Sequence, residues 1–196
     1  MTTTLELSSK EVERAARSIH PGEWAVEQRQ PIATLLGSCV AVCLYDPRLH
    51  IGGMNHFMLP TSNPNPNSQQ DDLLRGDYAM EVLVNAMLAK GASKSRMIAK
   101  AFGGGNIIAS IRMSIGERNA EFASEWLARE GIALHASDFG GPWSRKVLFA
   151  PDSGVAWCRR MLGSMADVSE VARKEADYAR RLIKPPANIG KKIELF

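Results

Sequence analysis

The stretch that most constrains this chain is Ile32 to Tyr45, an apolar run broken only by Gly37-Ser38. Beyond that break Val40, Val42 and Leu44 alternate with Ala41, Cys43 and Tyr45. A valine-rich period of two predicts a strand. Asp46-Pro47 then signals a type I turn, with Asp at its first position and Pro at its second. Ile51 to Leu59 reads as the next strand. Two long apolar strands are best buried in a sandwich of two sheets covered by helices, so the expectation is an α+β layered domain.

The remaining elements follow the same signals. A short polar helix is expected over residues 10–18, closed by His20-Pro21-Gly22, and a first strand over Glu23 to Gln28. Pro60 to Asp72 reads as a mobile polar loop, for it carries three prolines and few apolar anchors. Helices are expected over Tyr78 to Lys90 and Glu117 to Glu130, each followed by a glycine suited to a helix end. Strands are expected over Arg96 to Phe102, Ile132 to Ala136 and Lys146 to Ala150, the last two around the turn Gly140-Gly141-Pro142. An amphipathic helix is expected over Ser164 to Lys184, stopped by Pro185-Pro186. Its charged residues, Glu170 and Glu175 among them, read as a solvated face. The 196 residues suit one domain over 1–196, with a core at about 20–155 and a helical tail over 164–196.

Composition excludes several classes. The net charge of +3 comes with no basic stripe and no zinc-finger spacing, which argues against nucleic acid. No stretch approaches 18 uninterrupted apolar residues, so no membrane insertion is expected. Met1 to Lys10 lacks the basic and apolar regions of a secretion signal. Three cysteines, an odd and low count, fit free thiols in the cytoplasm. Cys39 and Cys43 lie four apart without a second pair to complete a zinc site, and neither metal nor cofactor is expected.

The candidate chemistry centres on Cys39. It follows a Gly-Ser turn and immediately precedes a strand, where backbone N–H groups can face a developing oxyanion. With Asp46 to Leu49 as a four-residue hairpin loop, Tyr45 faces His50 and Cys39 faces His56, within reach of a thiol–imidazole hydrogen bond. An imidazolium there lowers the thiol's pKa and favours a thiolate able to attack a carboxamide. A third group should orient the imidazole, and Thr34, Ser38 and Asn55 are the polar candidates. Ser38, Asn55 and Asn106 are expected to contact the substrate. Phe102-Gly103-Gly104-Gly105-Asn106 lacks the spacing of a phosphate loop and reads as a pocket wall. Cys43 reads as buried, and Cys158 as packing beside Trp157.

The runs Thr34 to Pro47 and Gly52 to Pro60 resemble the CheD family of chemoreceptor glutamine deamidases. So do Pro21-Gly22-Glu23, Ala79-Met80-Glu81, Lys100 to Gly104, Ile115-Gly116 with Asn119, and Asp138 to Gly141. The likeness runs in order over about residues 20 to 152. It implies deamidation of glutamines on the cytoplasmic coiled coil of methyl-accepting chemotaxis receptors. It also implies a Cys–His pair at Cys39 and His56, with a threonine third member mapping to Thr34. In some relatives that threonine stands one residue further from the cysteine. The implied fold is a three-layer α/β/β sandwich like that of cysteine deamidase toxins. Some members bind and stimulate the phosphatase CheC. The competing expectations are a CheC-docking adaptor with little turnover and a receptor methylesterase.

Overall fold

The computed structural model describes residues 9–59, 68–106, 115–161, 171, 173–178 and 180. The helices are α1 (Ser9–Ala15), α2 (Ser68–Ala89) and α3 (Ile115–Arg129). Nine strands accompany them: β1 (Arg17–Ser18), β2 (Trp24–Glu27), β3 (Ile32–Leu36), β4 (Val40–Asp46), β5 (Ile51–Asn55), β6 (Ile98–Gly103), β7 (Ala133–Phe139), β8 (Ser144–Ala150) and β9 (Val155–Met161). Residues 171, 173–178 and 180 are helical. Mixed α+β organisation is therefore observed, with two sheets, ordered β2-β5-β4-β6-β7 and β1-β3-β8-β9.

The period of two in β4 divides the core. Val40, Val42 and Leu44 face Met80, Leu83 and Met87 of α2 and Phe122, Trp126 and Leu127 of α3. Cys39, Ala41 and Cys43 face the other sheet, against Ile32, Leu36, Val147 and Phe149. Alternate side chains on a strand point to opposite faces, so one apolar run serves both layers. Val12 of α1 packs with Ala33 and Leu148 on the far side of the smaller sheet.

Several expectations need correction. The β4–β5 register pairs Asp46 with Ile51 and Cys43 with Met54, two residues away from the expected Tyr45–His50 pairing. The loop is thus Pro47 to His50, and His50 closes it with φ 51°. Asp46 fixes this turn by accepting N–H bonds from Arg48 and Ser93 and two guanidinium bonds from Arg96. Helix α2 begins at Ser68, ten residues before the expected start, because the acidic Gln-Gln-Asp-Asp segment is a helix N-terminus rather than loop. The rest of the expected loop, residues 60–67, lies outside the described residues. Gly140-Gly141-Pro142 does not close a hairpin, since β7 and β8 belong to different sheets. Strand β9 has no counterpart in the sequence reading. Its exposed Arg159 and Arg160 masked the strand pairing with β8.

Candidate active site

The site forms where β3 ends, the chain turns through Gly37-Ser38, and β4 begins. Three carbonyls of this turn are tied back. Gly105 N–H donates to the Gly37 oxygen and Gly104 N–H to the Cys39 oxygen, each at 2.8 Å. Asn119 of α3 donates from Nδ2 to the Ser38 oxygen at 2.8 Å, while its Oδ1 accepts from Leu59 N–H. With the carbonyls held behind, the N–H groups of 37, 38 and 39 converge on the opposite side, a backbone nest for an anion. The glycine run makes this close approach possible. Gly103 has φ 120°, and a Cβ there would stand 2.1 Å from the Cys39 oxygen.

Thr34, Cys39 and His56 come together. Thr34 Oγ1 lies 2.8 Å from the Ile19 carbonyl oxygen and 2.8 Å from His56 Nδ1. A hydroxyl has one proton, and Ile19 takes it, so Nδ1 must carry the imidazole proton and donate to Thr34. That leaves Nε2 as the basic nitrogen, and it has no hydrogen-bond partner. Main-chain bonds hold the histidine: Gly22 N–H donates to His56 O, and His56 N–H to Glu23 O. The observed register puts Ala41 opposite His56 and leaves Cys39 diagonal to it. A shift of two residues preserves the face, so both side chains point to the same layer. The expected thiol–imidazole hydrogen bond is not formed, for Nε2 is unpartnered.

Glu175 completes the cluster. Its carboxylate accepts from Gly37 N–H (2.8 Å) and Cys39 N–H (3.0 Å) at one oxygen. The other oxygen accepts from Ser38 N–H (2.9 Å) and Ser38 Oγ (2.7 Å). The solvated reading of Glu175 is therefore wrong: the residue is 5% exposed. Cys39 Sγ, a His56 nitrogen and a Glu175 oxygen lie within 4.8 Å of one another. These residue types could hold a zinc ion, but a metal would have to take the carboxylate from four donors already bonded to it.

The surroundings oppose the expected ion pair. Burial pushes the Cys39 thiol well up, and the Glu175 carboxylate pushes it further. Burial lowers His56 from 6.5 to about 4, against a raising effect of Glu175. Both shifts run toward the neutral form, because a dry site disfavours charge on either partner.

Ser38 lies in the nest, but Asn55 does not. Asn55 Oδ1 accepts from Val42 N–H and Nδ2 donates to the Ala79 carbonyl, so its amide ties β4 to α2 on the opposite face. The expectation of a substrate contact there is corrected for that reason. Asn106 is exposed at the end of the glycine run, its N–H bonded to Gly141 O. Sequence reasoning gave no role to Asn119 as a pin, or to Arg145. Arg145 is fully buried behind the glycines, bonded to Asp138 and to the carbonyls of Gly140 and Trp143. A polar residue on the apolar face of α3 was the available signal for Asn119. A cavity of about 440 Å³ borders Thr34, His56 and Glu175 but not Cys39. No helix among the described residues is long and apolar enough to cross a membrane.

Comparison with known proteins identifies the family of the chain. Residues 58–160 match the family model "CheD chemotactic sensory transduction". The chain is 60% identical to the probable chemoreceptor glutamine deamidase CheD 2 of Dechloromonas aromatica, over 97% of this chain and 98% of that one. It is 43% identical to the probable chemoreceptor glutamine deamidase CheD 1 of Shewanella oneidensis, covering 94% and 89%. With the protein named probable chemoreceptor glutamine deamidase CheD of Halorhodospira halophila it shares 39% identity, covering 92% and 84%.

Proposed function

The chain belongs to the CheD family, and from that premise we propose that it is a protein-glutamine glutaminase acting on chemoreceptors, with Cys39 as nucleophile and His56 as base. The observation that carries the reading is the Thr34–His56–Cys39 arrangement beside three converging N–H groups. The relatives' names supply the substrate: glutamine side chains on chemoreceptors.

The chemistry follows from the geometry. The substrate carbonyl oxygen takes the nest of Gly37, Ser38 and Cys39 N–H groups. His56 Nε2 accepts the thiol proton as Sγ attacks the carbonyl carbon. Negative charge develops on the oxygen, where the fixed N–H dipoles need no reorganisation to stabilise it. The tetrahedral intermediate collapses as His56 returns the proton to the departing nitrogen, releasing ammonia. A γ-thioester remains on Cys39. His56 then deprotonates a water that hydrolyses it, leaving glutamate and the thiol. Thr34 keeps Nδ1 protonated throughout, so the basic nitrogen is the one that serves the sulfur.

The finer architecture belongs to the same reading. Helices over one sheet with a second sheet beneath make the α/β/β layering of cysteine deamidase toxins, read as one domain over 1–196 acting in the cytoplasm. Binding of CheC is the second role, testable by pull-down of that phosphatase. The deciding experiment is mass spectrometry of a receptor cytoplasmic fragment incubated with wild-type protein or Cys39→Ala. Gln-to-Glu conversion is expected with the first and none with the second, and equal conversion by both removes the nucleophile assignment.

A further inference from the structure

The N–H groups that the reaction needs are already taken. A glutamate side chain is what glutamine becomes on deamidation, and Glu175 presents one from a helix. Its two oxygens receive all three N–H groups of the nest and the Ser38 hydroxyl. A substrate carbonyl cannot share them. The cavity beside His56 reaches Glu175 but stops short of the sulfur, and Cys39 is 0% exposed.

We propose that the helical segment around Glu175 occupies the substrate site as a built-in product mimic, holding the enzyme closed until a receptor helix displaces it. This rests on the deamidase reading given above. The segment docks as a helix in a groove does, through one stripe: Val171 is buried, Glu175 is buried, and Tyr178 packs over Gly22. A Cβ on Gly22, at φ 85°, would stand 2.6 Å from the Tyr178 ring. Residues 173, 174, 176 and 180 of the same segment are exposed. The stripe recurs at i, i+4 and i+7, the spacing by which a receptor helix would offer a glutamine between two apolar neighbours.

A permanent brace would be a poor use of this residue. A carboxylate beside the sulfur opposes formation of the thiolate, and any neutral acceptor would satisfy the N–H groups. Removing the segment frees the nest, opens a path from the cavity to the sulfur and takes a negative charge away from it. All three changes favour attack.

The test is site-resolved alkylation by iodoacetamide on the full chain, comparing wild type, Glu175→Ala and Tyr178→Ala. Labelling of Cys39 should rise at least about tenfold in Glu175→Ala and by a smaller factor in Tyr178→Ala. Cys43 should keep its wild-type rate. Unchanged labelling of Cys39 in both variants overturns the proposal, and so does equal acceleration at Cys43, which would make the segment a structural brace. Conversion of a glutamine-bearing receptor peptide, followed in the same samples, separates this proposal from the deamidase reading. Cys39 unmasked with no conversion by any of the proteins would sink the deamidase reading and leave the occlusion standing.

Discussion

Cys39 and Cys43 are the same residue type on the same face of the same chain segment, four residues apart and both buried. Burial raises the thiol pKa of each. What separates them is the backbone. Cys43 lies inside the ladder, paired with Met54 on one side and Lys100 on the other. Its peptide groups are committed to neighbouring strands. Cys39 lies just outside the ladder, where Gly104, Gly105 and Asn119 hold three carbonyls and turn three N–H groups outward. Cys39 Sγ lies within 4.8 Å of an imidazole nitrogen of His56. On the proposed chemistry, pinned peptide groups and a fixed tautomer set Cys39 apart, since both thiols are buried and burial raises the pKa of each.

Substitutions can break this contrast directly. Cys39→Ser should lower deamidation by about 10³-fold or more, whereas Cys43→Ala should leave it within about threefold, as measured by ammonia release. His56→Ala removes the base and should cost about 10²–10⁴-fold. Thr34→Val and Asn119→Ala should each cost less. Either leaves a buried group without its hydrogen bond, a penalty of about 1–3 kcal/mol, or about 5- to 150-fold if the loss falls wholly on the transition state. The two differ in kind. Thr34→Val frees the imidazole tautomer and should change the pH–rate profile, while Asn119→Ala loosens the nest and should lower kcat with the profile unmoved.

The smallest expected effect is on stability in acid. His56 has its pKa lowered from 6.5 to about 4 in the folded protein. Between those values the unfolded chain binds the proton and the folded one does not. The stability this group contributes is therefore fully present above about pH 6.5 and is lost as pH falls toward 4, by at most about 1.4 kcal/mol per pH unit. Thermal melts across that window should show the loss for wild type and a flatter profile for His56→Leu. Equal slopes would mean that carboxylates elsewhere govern the acid response.

The part of the site that local pattern encodes was legible in the sequence. Alternation through Val40 to Tyr45 gave β4 and its two faces, and the Gly-Ser break gave the turn at Cys39. The hairpin register was misread by two residues, yet His56 stayed on the correct side because side-chain direction repeats every two. Thr34 stood among three candidates that local reasoning left open, and hydrogen bonding distinguishes it by its reach to Nδ1. The rest depends on distant partners. Asn119 is 81 positions from the carbonyl it holds, and Glu175 is 136 from the Cys39 N–H it accepts. Nothing in the tail's mixed charges marks one glutamate as buried. The early start of α2 is hidden for a different reason: Pro64 and Pro66 stand just before it in the sequence.

The central claim is that the sulfur of Cys39, and not its neighbour four residues on, carries the substrate acyl group. It is tested most directly by mixing the protein with a glutamine-bearing receptor helix peptide, quenching in acid and locating the adduct by peptide mass. The predicted adduct is the peptide less ammonia, on Cys39, appearing before free glutamate product accumulates. Product formed with no adduct on Cys39 at any quench time, or with the adduct on Cys43, would contradict the account.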